Sequence, residues 1–254
     1  MISEPIISTI KQARRIVVFS GAGMSAESGI PTFRDDLVGL WQQYDPKELA
    51  TAEAFTKDPE LVWGWYEWRR ARVELAPPNA GHIAIAQWQA HYPLTIVTQN
   101  VDNLHERAGS YNVIHMHGNL HTAYCIDCKT PHPLYPTATP ATEGSRLSPP
   151  ACTLCQGMVR PGVVWFGEPL IEADLRAAIY AAENCDLVIA VGTSGVVQPA
   201  ALIPYWAKEK GAQVIQINPH ESAIDEVSDY NIRQSAATAL PYLVQALGFS
   251  KTTE

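Results

Sequence analysis

The stretch that most constrains how this chain can fold runs from Arg15 to Arg34, RIVVFSGAGMSAESGIPTFR. Ile16 to Ser20 is a short β-branched and aromatic run without charge, the pattern of a strand buried in a parallel sheet. Gly21-Ala22-Gly23 follows at once, and without a Cβ at the two glycines the backbone can turn sharply and come close to a ligand. Ser25-Ala26-Glu27-Ser28 supplies short polar groups of the kind that open a helix, whose free N–H groups hold a pyrophosphate. Gly21, Gly23 and Ala26 satisfy the dinucleotide spacing G-x-G-x-x-G/A, yet no acid about 20 residues later ends a second strand to hold a ribose. In its place stands Gly29-Ile-Pro-Thr-Phe-Arg34, a rigid, aromatic and cationic loop.

Strands and helices alternate along the rest of the chain. Residues 4 to 14 predict a surface helix feeding the first strand. Residues 37 to 90 are helical and rich in tryptophan (Trp41, Trp63, Trp65, Trp68, Trp88), with a break at Pro77-Pro78-Asn79. Apolar runs at 93–100, 113–117, 186–192 and 213–218 predict further strands, and 161–167 returns to strand chemistry. The expected fold is α/β: a Rossmann-like, doubly wound parallel sheet with a helical insertion and a smaller inserted zinc-binding lobe. The dinucleotide-binding domain is expected to be discontinuous, over 1–36, 91–119 and 161–254, with the helical insertion at 37–90 and the zinc-binding lobe at 120–160.

The 254 residues suffice for such a domain and a substantial core. A net charge of −8 argues against nucleic acid as the main ligand and suits lysine-rich protein substrates. No apolar run approaches the ~18 residues that span a bilayer, and Met1-Ile-Ser-Glu-Pro lacks the basic and apolar regions of a secretory signal. Four of the five cysteines form pairs with metal spacing, which favours a cytoplasmic location. The chain is expected to act as a monomer, without membrane or nucleic acid.

Those pairs are Cys125-x-x-Cys128 and Cys152-x-x-Cys155, with twenty-three residues between them. Two such knuckles bring four thiolates into a tetrahedron suited to one structural Zn2+ with no open position. The intervening Pro- and Thr-rich stretch has too little apolar content to fold alone, which fits a metal-stapled lobe. Cys185, before an apolar strand, is expected in the core.

Gln99-Asn-Val-Asp-Asn-Leu-His-Glu-Arg107 falls where the second strand ends, the edge at which open α/β sheets bind ligands. Gln99, Asn100 and Asp102 can offer amide and carboxylate groups to a carboxamide there, although Asn-Val-Asp before a helix serves equally as an N-cap. His115-Met116-His117-Gly118 ends the third strand. Strand alternation puts both histidines on one face, so spacing alone does not choose a general base between them.

Taken together, the block Gly21–Arg34, Gln99-Asn-Val-Asp102, His117-Gly118, Gly192-Thr-Ser194 and Val163-Val-Trp-Phe-Gly-Glu168, with the cysteine pairs, resembles the sirtuins, the NAD-consuming protein deacylases, over roughly residues 15 to 245. The resemblance implies a reaction in which the acyl oxygen of a modified lysine attacks C1′ of the nicotinamide ribose and nicotinamide leaves. A ribose hydroxyl deprotonated by the histidine then takes the acyl group, giving O-acyl-ADP-ribose. It implies His117 as base with Asn100 and Asp102 as catalytic groups. It implies NAD contacts from Gly21, Ala22, Gly23, Ala26, Glu27, Thr32, Phe33, Arg34, Trp41, Gln99, Asn100, Asp102, Gly192, Thr193, Ser194, Asn218 and Ala236. An acyl-lysine protein would add a strand along Val163, Val164, Trp165 and Phe166. Two departures are Asn119, where many members carry Glu, and Gln234-Ser-Ala-Ala in place of a Gly-x-Ala under the adenine, which leaves Ala236 to act by its backbone.

Tyr66 and Arg69 lie three apart, hence on one helical face. An arginine fork beside a phenol would select succinyl or malonyl chains, and Tyr-x-x-Arg here resembles the sirtuins that remove acidic acyl groups. On spacing alone, an amphipathic helix with Tyr66 and Arg69 snorkelling to solvent fits as well. An ADP-ribosyltransferase, or an NAD-degrading or NAD-sensing module, would use the same pocket.

Overall fold

The computed structural model describes residues 2–31, 45–134 and 141–249. Its main sheet has six parallel strands in the order β3-β2-β1-β6-β7-β8: β1 (Ile16–Ser20), β2 (Leu94–Thr98), β3 (Val113–His115), β6 (Leu187–Val191), β7 (Gln213–Ile217) and β8 (Tyr230–Ile232). β1 pairs with β2 on one side, Ile16 opposite Leu94, and with β6 on the other, Ile16 opposite Leu187. The chain therefore reverses its direction of winding at β1, and the crevice at the carboxyl ends of β1 and β6 is the topological switch point.

Alternation along β1 shows why it needs apolar residues throughout. Ile16 and Val18 enter the core on one face of the sheet, and Val17 and Phe19 enter the core on the other. The first face is covered by α1 (Glu4–Gln12), α5 (Ala80–Gln89) and α9 (Ala236–Ala246); the second by α7 (Glu172–Glu183) and α8 (Ile203–Glu209). α1 starts with Pro5 in its first turn, carries Glu4 there and Lys11 at its end, and buries Ile6, Ile7 and Ile10. α5 opens on a capping box between Asn79 and His82, immediately after the Pro77-Pro78 break.

The smaller domain is built from α2 (Pro46–Leu49), α3 (Ala52–Lys57), α4 (Pro59–Leu75) and the antiparallel pair β4 (Gly118–Cys125) and β5 (Val159–Val163). Asp58 caps α4 by accepting Leu61 N–H at 3.1 Å, with Pro59 in the first turn. Phe55, Trp63, Trp65, Tyr66 and Trp68 from the helices share one core with Leu120, Val159, Val163 and Trp165 from the hairpin and the segment after it. Loop residues tighten the contact: Leu147 N–H donates to Glu60 O at 3.1 Å, and Arg146 pairs with Asp58 at 2.7 Å.

Several sequence expectations shift. The stretch after Gly21 forms two single 3-10 turns, Ala22–Met24 and Ala26–Ser28, rather than the start of a helix, and Gly29 ends the second at φ +80°. The expected divide at residue 90 falls beyond α5, whose Ala84, Ile85 and Trp88 belong to the main sheet's core; the proline break, not the end of the aromatic region, separates the two packings. The divide expected at 160 lies inside β5.

The glycines of the first loop have a cause beyond ligand approach. Gly23 N–H donates to Gly192 O at 2.8 Å, and a Cβ on Gly23 would lie 2.8 Å from Gly192 Cα. Gly192 itself has φ +58°, and a Cβ there would lie 2.4 Å from Met24 N. Backbone packs on backbone across the switch point, with no room for a methyl group. Gly192→Ala should accordingly lower folding stability by about 1–3 kcal/mol; an unchanged urea midpoint would contradict this packing.

Candidate active site and metal site

The loop after β2 carries Gln99, Asn100 and Asp102 to the switch point. Asn100 and Asp102 are buried, at 7% and 5% exposure, so each polar atom needs a partner. Ser25, on the glycine loop, provides one for both: Asn100 Nδ2 donates to Ser25 Oγ at 3.1 Å, and Ser25 Oγ donates to Asp102 Oδ2 at 2.8 Å. Asp102 Oδ1 accepts Leu104 N–H at 3.0 Å in an Asx turn, whereas the N-cap position of the helix that follows is Asn103, which makes no side-chain cap bond. Burial pushes the Asp102 carboxyl up, against the opposing pull of these two donors. The sequence offers Ser25 only as one of the short polar groups that open a helix, and nothing in it joins positions 25, 100 and 102.

The two histidines differ sharply. β3 stops at His115, so His117 lies in the turn before β4 and the expected common strand face does not extend to it. His115 Nδ1 faces Asn100 O at 3.1 Å and its Nε2 faces Glu106 Oε1 at 2.7 Å. Both partners accept, which suits a proton on each nitrogen, and Asn119 Nδ2 lies farther off, 3.5 Å from Nε2. Burial works against that charge, but Glu106, Asn100 O and Asp102 outweigh it and hold His115 above its ordinary value. His117 Nδ1 faces Gln99 O at 2.9 Å, again a pure acceptor, and Nε2 has no partner among the described residues. Burial pulls His117 below its ordinary value, with the bond to Gln99 O opposing. A neutral imidazole with a fixed tautomer and an open Nε2 is equipped to take a proton.

Across the crevice, Thr193 Oγ1 donates to Gln99 Oε1 at 3.3 Å, while Gln99 Nε2 is buried without a partner among the described residues. Asn218 Nδ2 donates to Thr193 O at 2.9 Å, and Ser194 O accepts Ala223 N–H at 3.1 Å. Gly21, Ala22, Gly23 and Gly192 join these at the same edge. Ala26 is exposed, and Ala236 is buried at the start of α9. Glu27 reaches Ser235 Oγ at 3.0 Å and Ala237 N at 2.9 Å, so its carboxylate caps α9. Thr32, Phe33, Arg34 and Trp41 lie outside the described residues.

The substrate residues divide as well. Val163 ends β5 and is buried, and Val164 N–H donates to His117 O at 2.8 Å. Trp165 is 1% exposed and its indole Nε1 donates to Tyr66 Oη at 3.0 Å, whereas Phe166 is exposed. Glu168 accepts from Trp165 N at 2.9 Å and forks with buried Arg160, bracing this segment. Tyr66 is 3% exposed, and the Arg69 guanidinium lies 4.8 Å from the Trp65 ring centroid and 5.6 Å from that of Tyr66. Tyr66 therefore does not snorkel.

Cys125, Cys128, Cys152 and Cys155 bring their sulfurs within 4.8 Å of one another. The separations of 3.4 Å (Cys125–Cys155), 3.4 Å (Cys128–Cys155) and 3.6 Å (Cys128–Cys152) approach the ~3.8 Å spacing of four thiolates tetrahedral about zinc at ~2.3 Å. The donor set fits a closed zinc site, which would tie the β4 end to the segment leading into β5. Cys185 is buried in the main core. Removing the zinc should loosen the aromatic core that Trp63, Trp65 and Trp165 share with this hairpin. Loss of near-ultraviolet circular dichroism and a lower melting temperature on chelation are expected; an unchanged aromatic signal would contradict a structural metal.

Two further imidazoles were missed in the sequence. His82 and His105 are buried with ring centroids 5.0 Å apart. Burial holds His82 down at about 4, and burial with the neighbouring His82 holds His105 at about 3. Unfolded histidine titrates near 6.5, so below that pH the unfolded chain binds protons the folded chain refuses, and stability falls as pH drops from about 6.5 towards 4. His117 and His121 add in the same direction, whereas His115, raised, acts above that window. A denaturant midpoint that stays flat between about pH 6.5 and 4 would contradict the neutral buried pair.

Residues 21–199 match the model of the Sir2 family. An NAD-dependent protein deacylase of Methylococcus capsulatus is 51% identical over 251 residues, covering 98% of each chain. NAD-dependent protein deacylase 1 of Pseudomonas aeruginosa is 52% identical over 242 residues, covering 94% of this chain and 97% of its own. Among solved structures, a Sir2 homologue in complex with NAD superposes with a TM-score of 0.90 at 43% identity, covering 98% of this chain and 96% of the other. A Sir2 complex with p53 peptide and NAD+ superposes with a TM-score of 0.85 at 27% identity, covering 98% of this chain and all of the other. With the family model matching residues 21–199 and relatives about half identical over almost their entire length, the chain belongs to the Sir2 family.

Proposed function

We propose that this protein uses NAD to remove acyl groups from protein lysine side chains, with His117 as the general base, and that acidic acyl chains are among those it takes. The observation that carries the reading is the different surroundings of the two neighbouring histidines. His115 has an acceptor at each ring nitrogen, while His117 has one at Nδ1 and no partner at Nε2 among the described residues. Relatives at about half identity over the whole chain are named NAD-dependent protein deacylases, which supports the same activity here.

Bound NAD supplies an electrophilic ribose carbon that accepts the acyl oxygen as nicotinamide leaves. The protein's part is to bind, orient and move one proton. Gln99 O fixes the His117 tautomer, so that Nε2 takes the proton from a ribose hydroxyl. Asn100 and Asp102, locked through Ser25, present the remaining amide and carboxylate valences to nicotinamide and to water. Val164, held by His117 O, and exposed Phe166 offer the edge along which an acyl-lysine peptide adds as a strand. The loops at Gly21–Gly23 and Gly192–Ser194, with Asn218 and Ala236, carry the rest of the nucleotide.

The acyl preference rests on α4. Tyr66 Oη accepts the Trp165 indole N–H and keeps its own proton, burial having pushed the phenol up to about 12. Arg69 is pulled below its ordinary value first by burial, with Tyr66 and Asp102 opposing, so the field of Asp102 reaches it. A donor phenol beside a desolvated guanidinium suits a carboxylate at the end of a succinyl or malonyl chain. The reading keeps the protein a monomer in the cytoplasm; four thiols held for a metal support that compartment, and sedimentation tests the oligomeric state.

Acetyl- and succinyl-lysine peptides with NAD, resolved by mass, test the proposal. His117→Ala should lose about 100-fold or more on both, with O-acyl-ADP-ribose no longer formed. Tyr66→Phe with Arg69→Met should spare acetyl-lysine and lose succinyl-lysine turnover; equal losses on both would overturn the acyl preference. ADP-ribose appearing on protein without acyl loss would favour the transferase alternative.

A further inference from the structure

Behind the catalytic loop lies a run of buried polar groups that the proposed chemistry does not itself use. His105, on α6 (Leu104–Arg107), is 1% exposed, and its Nε2 lies 3.0 Å from Ser20 Oγ at the carboxyl end of β1. Ser20 Oγ donates to Thr98 Oγ1 at 2.8 Å, and Thr98 Oγ1 accepts Asn100 N–H at 3.0 Å. Ser20 and Thr98 are both fully buried. Ser20 has a single hydroxyl proton and gives it to Thr98, so the contact from His105 must bring a proton of its own from Nε2. His82 packs edge-on against the His105 ring at an interplanar angle of 67° and limits its swing. Cut off from water, the relay leaves only His105 Nδ1 without a partner among the described residues, and breaking any link strands a further buried polar atom.

We infer that His105 is a positioning residue for deacylation, acting through Ser20 and Thr98 to hold the Asn100 backbone, and with it the Asn100–Ser25–Asp102 linkage, in the reacting orientation. The inference rests on the reading of Asn100 as a group at the reacting centre. Its reach is short: the relay ends on the amide of the very residue whose side chain donates to Ser25.

Three substitutions separate positioning from bulk stability. Thr98→Val keeps the shape and removes the acceptor, Thr98→Ser keeps the hydroxyl, and His105→Phe removes the donor. With NAD and an acetyl-lysine peptide, Thr98→Val and His105→Phe should each lower kcat about tenfold or more, with KM for both substrates within about twofold. Thr98→Ser should recover most of the loss. The double variant Thr98→Val/His105→Phe should be no worse than the poorer single, because both cut one relay. Losses that multiply in the double variant, or full activity in both singles, would overturn the role. If His105→Phe does not fold, Thr98→Val against Thr98→Ser decides alone. Asn100→Ala run alongside keeps the two readings apart. Normal turnover in that variant removes Asn100 from the reacting centre, whereas its inactivity beside fully active Thr98→Val and His105→Phe removes only His105.

Discussion

The close contact of two loop backbones at the switch point is the constraint on which the rest of the site depends. Gly21 N–H donates to Val191 O at 3.0 Å and Gly23 N–H to Gly192 O at 2.8 Å, so the loop after β1 is laced to the end of β6. What hangs from that loop is then fixed in turn. Met24 O accepts from Asn79 at the start of α5, Glu27 caps α9, and Ser25 reaches across to Asn100 and Asp102. A short glycine-lined seam thereby sets two helices and the catalytic loop at once. A methyl group at Gly23 or Gly192 would force the loops apart and disturb all three.

Within that frame, chemistry is assigned by counting protons rather than by proximity. His115 and His117 are two residues apart, and each has one nitrogen on a backbone carbonyl. The carboxylate of Glu106 makes the difference: it fills the second nitrogen of one ring and has no counterpart at the other among the described residues. Glu106 is itself held below its ordinary range, burial opposing and the His115 bond prevailing.

Much of this was legible in the sequence because it is local. Strands such as Ile16–Ser20 and Leu187–Val191 are continuous apolar runs, the two cysteine knuckles announce their own geometry, and the Pro77-Pro78 break falls where α4 gives way to α5. Of the site residues tied to short motifs, Asn100 and Asp102 follow the end of β2, and His117 lies in the turn two residues past the end of β3. The illegible part is non-local. Ser25, Thr98 and His105 matter through partners 75, 78 and 85 positions away, and no spacing rule links them. Glu27 likewise has a part its motif does not show, capping a helix more than 200 positions on. The expectation that the aromatic region formed one insertion failed because Trp88 and Trp63 look alike in sequence while facing different cores.

The shared aromatic core of the smaller domain separates two kinds of variation. Tyr66 and Arg69 ride on α4, braced by Trp65 and Trp165, whereas His117, Asn100 and Asp102 belong to loops at the edge of the large sheet. On the proposed reading, exchanges along one face of α4 would alter which acyl chain is taken without touching the groups that move the proton, so that reactivity and scope would sit on different pieces of scaffold.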